Sequence, residues 1–260
     1  MQIGIIGAGG ATRGIHLPGF ELVTDAEVAV LCDADHDAAR ATGVRETCTD
    51  YQEVLARRNL DAVVVATPNF LHRDIVLADI GSHLVHITQY LAGDIRALTA
   101  AERRFRDDPA SDVEDWIAFL AEFANGATGT FEISRVAPGR GAGISEDIFI
   151  ELYGTKGSIV FSLQDPWGLM VALGEDGLDP ARPLRHYDVP RELLKIGGSP
   201  RDVMAHDRRW GYRYDQAFQF VESVKRGQAR APSFADGLRC QAVLDAVLES
   251  ARERRWVEVV

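Results

Sequence analysis

Three groups of residues have types and spacings that could do chemistry. The first is Gly7-Ala8-Gly9-Gly10-Ala11-Thr12, which follows the apolar run 2–6 and opens a stretch with helical spacing. In that context Gly7 permits a tight turn, Gly9 lets the backbone approach a pyrophosphate, and the start of the helix offers N–H groups and partial positive charge. Asp33 ends the second apolar run, 21 residues beyond Thr12. A carboxylate there accepts from a ribose 2'-hydroxyl and repels a 2'-phosphate, so the pair implies a dinucleotide site that prefers NAD to NADP. Thr12 stands where a third glycine or alanine is usual, which bears on how closely helix and strand pack. The plainer alternative is an ordinary glycine turn with Asp33 as a helix cap. It carries less weight because strand, loop, helix and acid occur in the required order.

The second group is Asp79 and His83, four residues apart and so on one face if the segment is helical. An imidazole beside a carboxylate suits proton removal. The plainer reading makes Asp79 or Ser82 a helix cap and His83 a satisfied interior histidine. The third group is Thr67-Pro68-Asn69, just past the apolar run 62–66, at the strand end where α/β sheets bind ligands. His86 adds a possible third ligand to Asp79 and His83, but no second cluster completes a metal set, and no metal is expected. Tyr90 and Tyr214 could meet a sugar or simply cover apolar surface.

The elements that must hold these groups can be read from periodicity. Runs 2–6, 27–32 and 62–66 look like buried parallel strands, with helical spacing between them, notably at 51–59. This is a doubly wound α/β unit. After residue 78 the texture changes. Residues 80–91 have helical spacing, and 115–123 reads as a further helix entering the turn Ala124-Asn125-Gly126. Strands are expected at 128–136, 147–153 and 158–161, then a polar stretch at 175–211 and two amphipathic helices at about 212–225 and 236–254. The fold class is thus α/β: an N-terminal Rossmann dinucleotide-binding domain, incomplete in strand number, over 1–78, and over 79–260 a C-terminal α+β domain on a mostly antiparallel sheet.

Composition narrows the function. A net charge of -11 opposes the counterion release that drives nucleic-acid binding, and no apolar run approaches the ~20 residues that span a bilayer. Neither nucleic acid nor membrane is an expected partner; a small molecule is. The start enters a strand without a signal-peptide pattern, so a cytoplasmic location is expected. Cys32, Cys48 and Cys240 have no disulfide or zinc spacing and read as small buried hydrophobes.

From Ala66-Thr67-Pro68-Asn69-Phe70-Leu71-His72 outward, the chain resembles the Gfo/Idh/MocA oxidoreductases. The opening Gly4-Ile5-Ile6-Gly7-Ala8-Gly9-Gly10 with His16-Leu17-Pro18 is similar, as are Phe123-Ala124-Asn125-Gly126, Gly154-Thr155-Lys156-Gly157 and Pro232-Ser233-Phe234-Ala235-Asp236-Gly237. The resemblance implies hydride transfer between NAD and a hydroxyl carbon of a sugar, polyol or related compound. It makes Asp79 and His83 the family's substrate-site aspartate and histidine, and it implies a homo-oligomer built on the second-domain sheet. One departure is large. The family's Glu-Lys-Pro motif, whose lysine engages the reacting hydroxyl, is absent, and Lys156, Lys195 and Lys225 have no matching context. Either the segment is lost from the protein or a longer natural sequence contains it; a half-built sheet with an open edge argues for the second. The rival functions are an NAD-binding pseudoenzyme or scaffold without the lysine segment, and an enzyme that cleaves glycosides through transient oxidation.

Overall fold

The computed structural model describes residues 1–67, 77–106, 114–137, 139, 147–174, 182–202 and 211–260. They fall into two compact units: 1–67 with 139–228, and 68–138 with 229–260.

In the first unit, β1 (Gln2–Ile6), β2 (Glu27–Cys32), β3 (Glu46–Cys48) and β4 (Ala62–Val65) form a parallel sheet in the order β3-β2-β1-β4. Ile3, Ile5, Val30 and Leu31 are fully buried, as the continuous apolar runs require of strands covered on both faces. Short helices α1 (Leu17–Glu21), α2 (His36–Arg40) and α3 (Tyr51–Leu55) connect the strands. Asp35 caps α2 by accepting from the N–H groups of Asp37 and Ala38, and Asp50 caps α3 by accepting from Gln52 N–H. Strand β3, too short to leave a period in the sequence, sits at one edge. At the other edge β4 has no further strand beside it among the described residues, and Val65 is 60% exposed.

The described part of the second unit opens on a wide helical turn, Leu77–Gly81, that runs into α4 (Ser82–Ala92). Next comes an antiparallel sheet of β5 (Ile95–Arg103), β6 (Trp116–Phe123) and β7 (Thr128–Ser134). Of residues 115–123, expected as a helix, 116–123 are therefore strand. Ile117, Phe119, Ala121 and Phe123 are buried at alternate positions, and Phe119 stacks on Phe131 of the neighbouring strand at 4.3 Å. Pairing on both sides overrides a local composition that favours helix.

The chain then returns to the first unit and forms a second antiparallel sheet, β8 (Phe149–Gly154), β9 (Gly157–Ser162), β10 (Gly168–Leu173) and β11 (Arg185–Asp188). The polar stretch 175–211 thus contains a strand. Beyond it, Arg201 and Asp215 form a buried pair at 2.7 Å that ties residues 194–201 to α5 (Gly211–Arg226). Helix α5 packs on α1, where Phe220 meets Phe20 edge-on at 6.1 Å and Tyr214, Ala217 and Val221 join the core around Ile3. Last, α6 (Phe234–Glu253) covers β5 in the second unit with Val243, Leu244 and Val247, and β12 (Val257–Glu258) pairs antiparallel with β5.

Candidate functional site

The glycine loop is closed from three sides. Gly7 has φ +107°, and a Cβ there would stand 2.3 Å from the Ala66 carbonyl oxygen and 2.9 Å from the Thr67 nitrogen. Only glycine fits between the ends of β1 and β4. The Gly7 N–H donates to the Cys32 carbonyl at 2.7 Å, which joins the loop to the end of β2. The buried Thr12 hydroxyl donates to the Gly7 carbonyl at 2.6 Å. Thr12, the departure from the usual fingerprint, is therefore a brace for the loop and not a loss of it.

Arg13 N–H donates to the Gly9 carbonyl at 3.1 Å, so the N–H groups of Gly10, Ala11 and Thr12 head the helix. Gly10 and Ala11 are exposed, and a Cβ at Gly9 or Gly10 would meet no atom within 4 Å. Open space above helix-leading N–H groups is what a diphosphate needs. Asp33 faces the same loop. Its Oδ2 accepts from Ala8 N–H at 2.6 Å and its Oδ1 from Asp35 N–H at 2.9 Å. A carboxylate offers about four acceptor directions, so two remain for ribose hydroxyls. Gly7, Gly9, Gly10, Ala11, Thr12, Asp33 and Thr67 thus converge at the carboxyl ends of β1, β2 and β4. Pro68, Asn69 and His72 lie outside the described residues.

In the second unit, Asp79 lies in the turn Leu77–Gly81 and His83 in the first turn of α4, where it is exposed. The interior-histidine alternative does not hold for His83. The turn is anchored: Glu114 Oε1 accepts from Leu77 N–H at 2.9 Å, Gly81 lies so near Leu77 and Ile133 that a Cβ would come within 2.9 and 3.2 Å of their methyls, and the Cys240 thiol donates to the Ser82 carbonyl at 3.4 Å. Burial raises the pKa of Glu114 despite the Leu77 N–H, and burial likewise raises that of the Cys240 thiol. Sequence reasoning missed Glu114, since only the pairing of β6 brings residue 114 to the start of this turn.

Other candidates are engaged elsewhere. Tyr214 is buried and stacks on Phe218 at 6.0 Å, whereas Tyr90 is 80% exposed. Lys225 pairs with Asp25, Lys195 donates to the Arg201 carbonyl, and Lys156 lies in the turn between β8 and β9. Cys32 and Cys48 face each other across β2 and β3, buried, and burial together with the neighbouring thiol pushes Cys32 up to about 12, so Cys32 is not poised as a nucleophile.

Comparison with known proteins gives two family matches. Residues 1–88 match the oxidoreductase family's NAD-binding Rossmann fold, and residues 72–259 match the C-terminal alpha/beta domain of the same Gfo/Idh/MocA family. Levoglucosan dehydrogenase of Pseudarthrobacter phenanthrenivorans is 31% identical over 215 residues, covering 70% of this chain and 51% of that protein. D-apiose dehydrogenase of Rhizobium rhizogenes is 26% identical, covering 71% and 48%. The chain thus spans about half the length of the curated relatives it matches. Among solved structures, a levoglucosan dehydrogenase complex with NADH and levoglucosan superposes with a TM-score of 0.80 at 20% identity, end to end, covering 100% of this chain and 99% of that one. An oxidoreductase domain protein from Kribbella flavida gives 0.80 at 22%, covering 99% and 98%.

Proposed function

Since the chain belongs to the Gfo/Idh/MocA oxidoreductase family, we propose that it serves as an NAD-dependent dehydrogenase acting on a hydroxyl carbon of a sugar, polyol or related compound. The observation that carries this reading is the closure of the glycine loop on Asp33, with helix-leading N–H groups above it. Bound NAD supplies the hydride acceptor. Gly7, Gly9, Gly10, Ala11 and Thr12 hold its diphosphate, Asp33 its ribose, and Thr67 flanks it from the end of β4, with Pro68 and Asn69 next in the sequence as further candidate contacts. His83 takes the hydroxyl proton, and Asp79 orients the imidazole or the substrate. With Lys195 and Lys225 bonded elsewhere, proton removal rests on His83, and a positioned base is worth roughly 100- to 10,000-fold in rate. The relatives' names, levoglucosan, D-apiose and inositol dehydrogenases, support a polyhydroxylated substrate.

In this reading residues 1–78 hold the cofactor, and 79–260 form the substrate-binding and self-associating part. A homo-oligomer is supported by one face of the sheet β8–β11. Ile150 and Phe161 pair there, as do Leu152 and Ile159, Ile159 and Val171, and Leu169 and Tyr187, and none of them is buried. A cytoplasmic setting agrees with three buried free thiols, and no helix among the described residues is long and apolar enough to cross a membrane.

The test is a screen of inositols, aldoses and anhydrosugars with NAD, following NADH, for the wild type and for His83→Ala. Substrate-dependent NADH that falls at least about 100-fold in the variant, with NAD affinity kept, is expected. Tight NAD binding without any turnover would make the protein a cofactor-binding pseudoenzyme. Turnover unchanged in His83→Ala would remove the histidine from the chemistry.

A further inference from the structure

In the helical segment that carries Asp79 and His83, described from Leu77 onward, the Leu77 N–H is held by a side chain 37 residues further along the chain. That side chain, Glu114, is only 8% exposed. Its backbone is fixed, because the next residue, Asp115, donates its N–H to the Arg103 carbonyl at 2.9 Å and accepts Arg135 N–H at 3.0 Å. Glu114 therefore reaches Leu77 from a frame locked between β5 and β7.

A buried carboxylate is a costly group to place in a core that an apolar side chain could fill. Here the cost is offset by the backbone donor that the carboxylate satisfies, the Leu77 N–H. Gly81 against Ile133 and the Cys240 thiol on the Ser82 carbonyl both act further along the segment. Glu114 is the contact at Leu77 N–H, two residues before Asp79 and six before His83.

We propose that Glu114 is a positioning residue for His83: by fixing Leu77 N–H it sets where the turn bearing Asp79 presents the imidazole six residues on. The proposal rests on the dehydrogenase reading for its functional meaning. Misplacement of a base by about 1 Å costs on the order of 100-fold in rate, so a single hydrogen bond at Leu77 is enough to matter.

The test uses the full chain with Glu114→Ala and Glu114→Gln. Three quantities are followed: amide exchange at Leu77, the His83 ring signals by NMR, assigned with His83→Asn, and turnover. Glu114→Ala is expected to speed Leu77 exchange at least tenfold and to shift the His83 ring signals. It should also lower kcat roughly tenfold, with the KM for NAD within about twofold. Glu114→Gln, whose amide oxygen accepts the same N–H, should restore all three. If Glu114→Gln behaves like Glu114→Ala, or if Leu77 exchange rises while the His83 signals stay in place, the residue is only a stabilising cap and the proposal is overturned. Should Glu114→Ala fail to fold, Glu114→Asp, with its acceptor one methylene short, is expected to displace the His83 signals in the same direction; unmoved signals overturn the proposal. A wild type that turns over no sugar would defeat the dehydrogenase reading, while the Leu77 and His83 measurements would still decide the positioning role.

Discussion

Ala8 and Asp33 are joined by a 2.6 Å hydrogen bond, from the backbone N–H of the glycine loop to the carboxylate at the end of β2. The acid proposed to select the cofactor is thereby tied to the loop proposed to hold it. Asp35 and Asp37 add negative charge just beyond, while Arg13 turns its guanidinium to the Ala38 carbonyl at 3.1 Å. NAD should therefore bind more tightly than NADP. Asp33→Ser should narrow the gap by about tenfold, or ~1.4 kcal/mol. Calorimetric titration of both cofactors decides this, and NADP binding as tightly as NAD to the wild type would refute the ribose role.

The glycines of the loop should separate into two kinds on substitution. Gly7→Ala forces a Cβ into the Ala66 carbonyl at positive φ and should destabilise the fold by roughly 1–3 kcal/mol or more, seen as a lower Tm. Gly9→Ala meets open space, so its Tm should stay within about a degree while NAD affinity drops, because the new methyl stands where the diphosphate approaches. A Gly9→Ala variant that binds NAD normally would argue against a diphosphate at this loop.

Self-association through β8–β11 predicts that Ile159→Asp, on the exposed apolar face, yields a monomer. Light scattering at micromolar concentration should show the wild type larger than the variant. A monomeric wild type would be incompatible with the proposed interface.

Acid should unfold the second unit through Asp115. The Arg106 side chain, together with the N–H groups of Arg106 and Phe105, holds its carboxyl at about 2. Asp236, bonded by Ser233 N–H and hydroxyl and by Arg239, is likewise held at about 2. Because both values lie below the ordinary carboxylate value of about 4, the stabilisation is complete above that pH and is lost as pH falls toward 2. Asp115→Asn should flatten the dependence of stability on pH in this window, followed by denaturant titration at several pH values. An unchanged slope would show that Asp115 is not a source of acid sensitivity.

The cofactor loop was legible in the sequence because its demands are local. Gly7 must turn, Gly9 must leave space, and Asp33 must follow a second strand, and each constraint writes a residue type at a set spacing. Strands β2 and β4 were legible for a similar reason, as short apolar runs bounded by polar residues. Strand β6 was not, because Trp116-Ile117-Ala118-Phe119-Leu120-Ala121 places Ala118 and a half-exposed Leu120 between its buried residues and so hides the alternation. Asp115, at the head of that run, looks like a helix cap; it caps the loop at Phe105 and Arg106 instead. Nor did the sequence indicate Glu114 as the partner of Leu77 N–H, since that contact depends on the register of β6 between β5 and β7.

The path of the chain also governs the order in which the protein can mature. It leaves the first unit after residue 67, returns at 139 and departs again after 228, so neither unit is a continuous stretch. Residues 257–258 supply the strand beside β5, and α6 covers the same sheet. During synthesis, therefore, the sheet that carries the His83 segment stays uncovered until residues 234–258 have left the ribosome. Over that interval its apolar face is exposed to aggregation, and expressing either half alone should yield insoluble product.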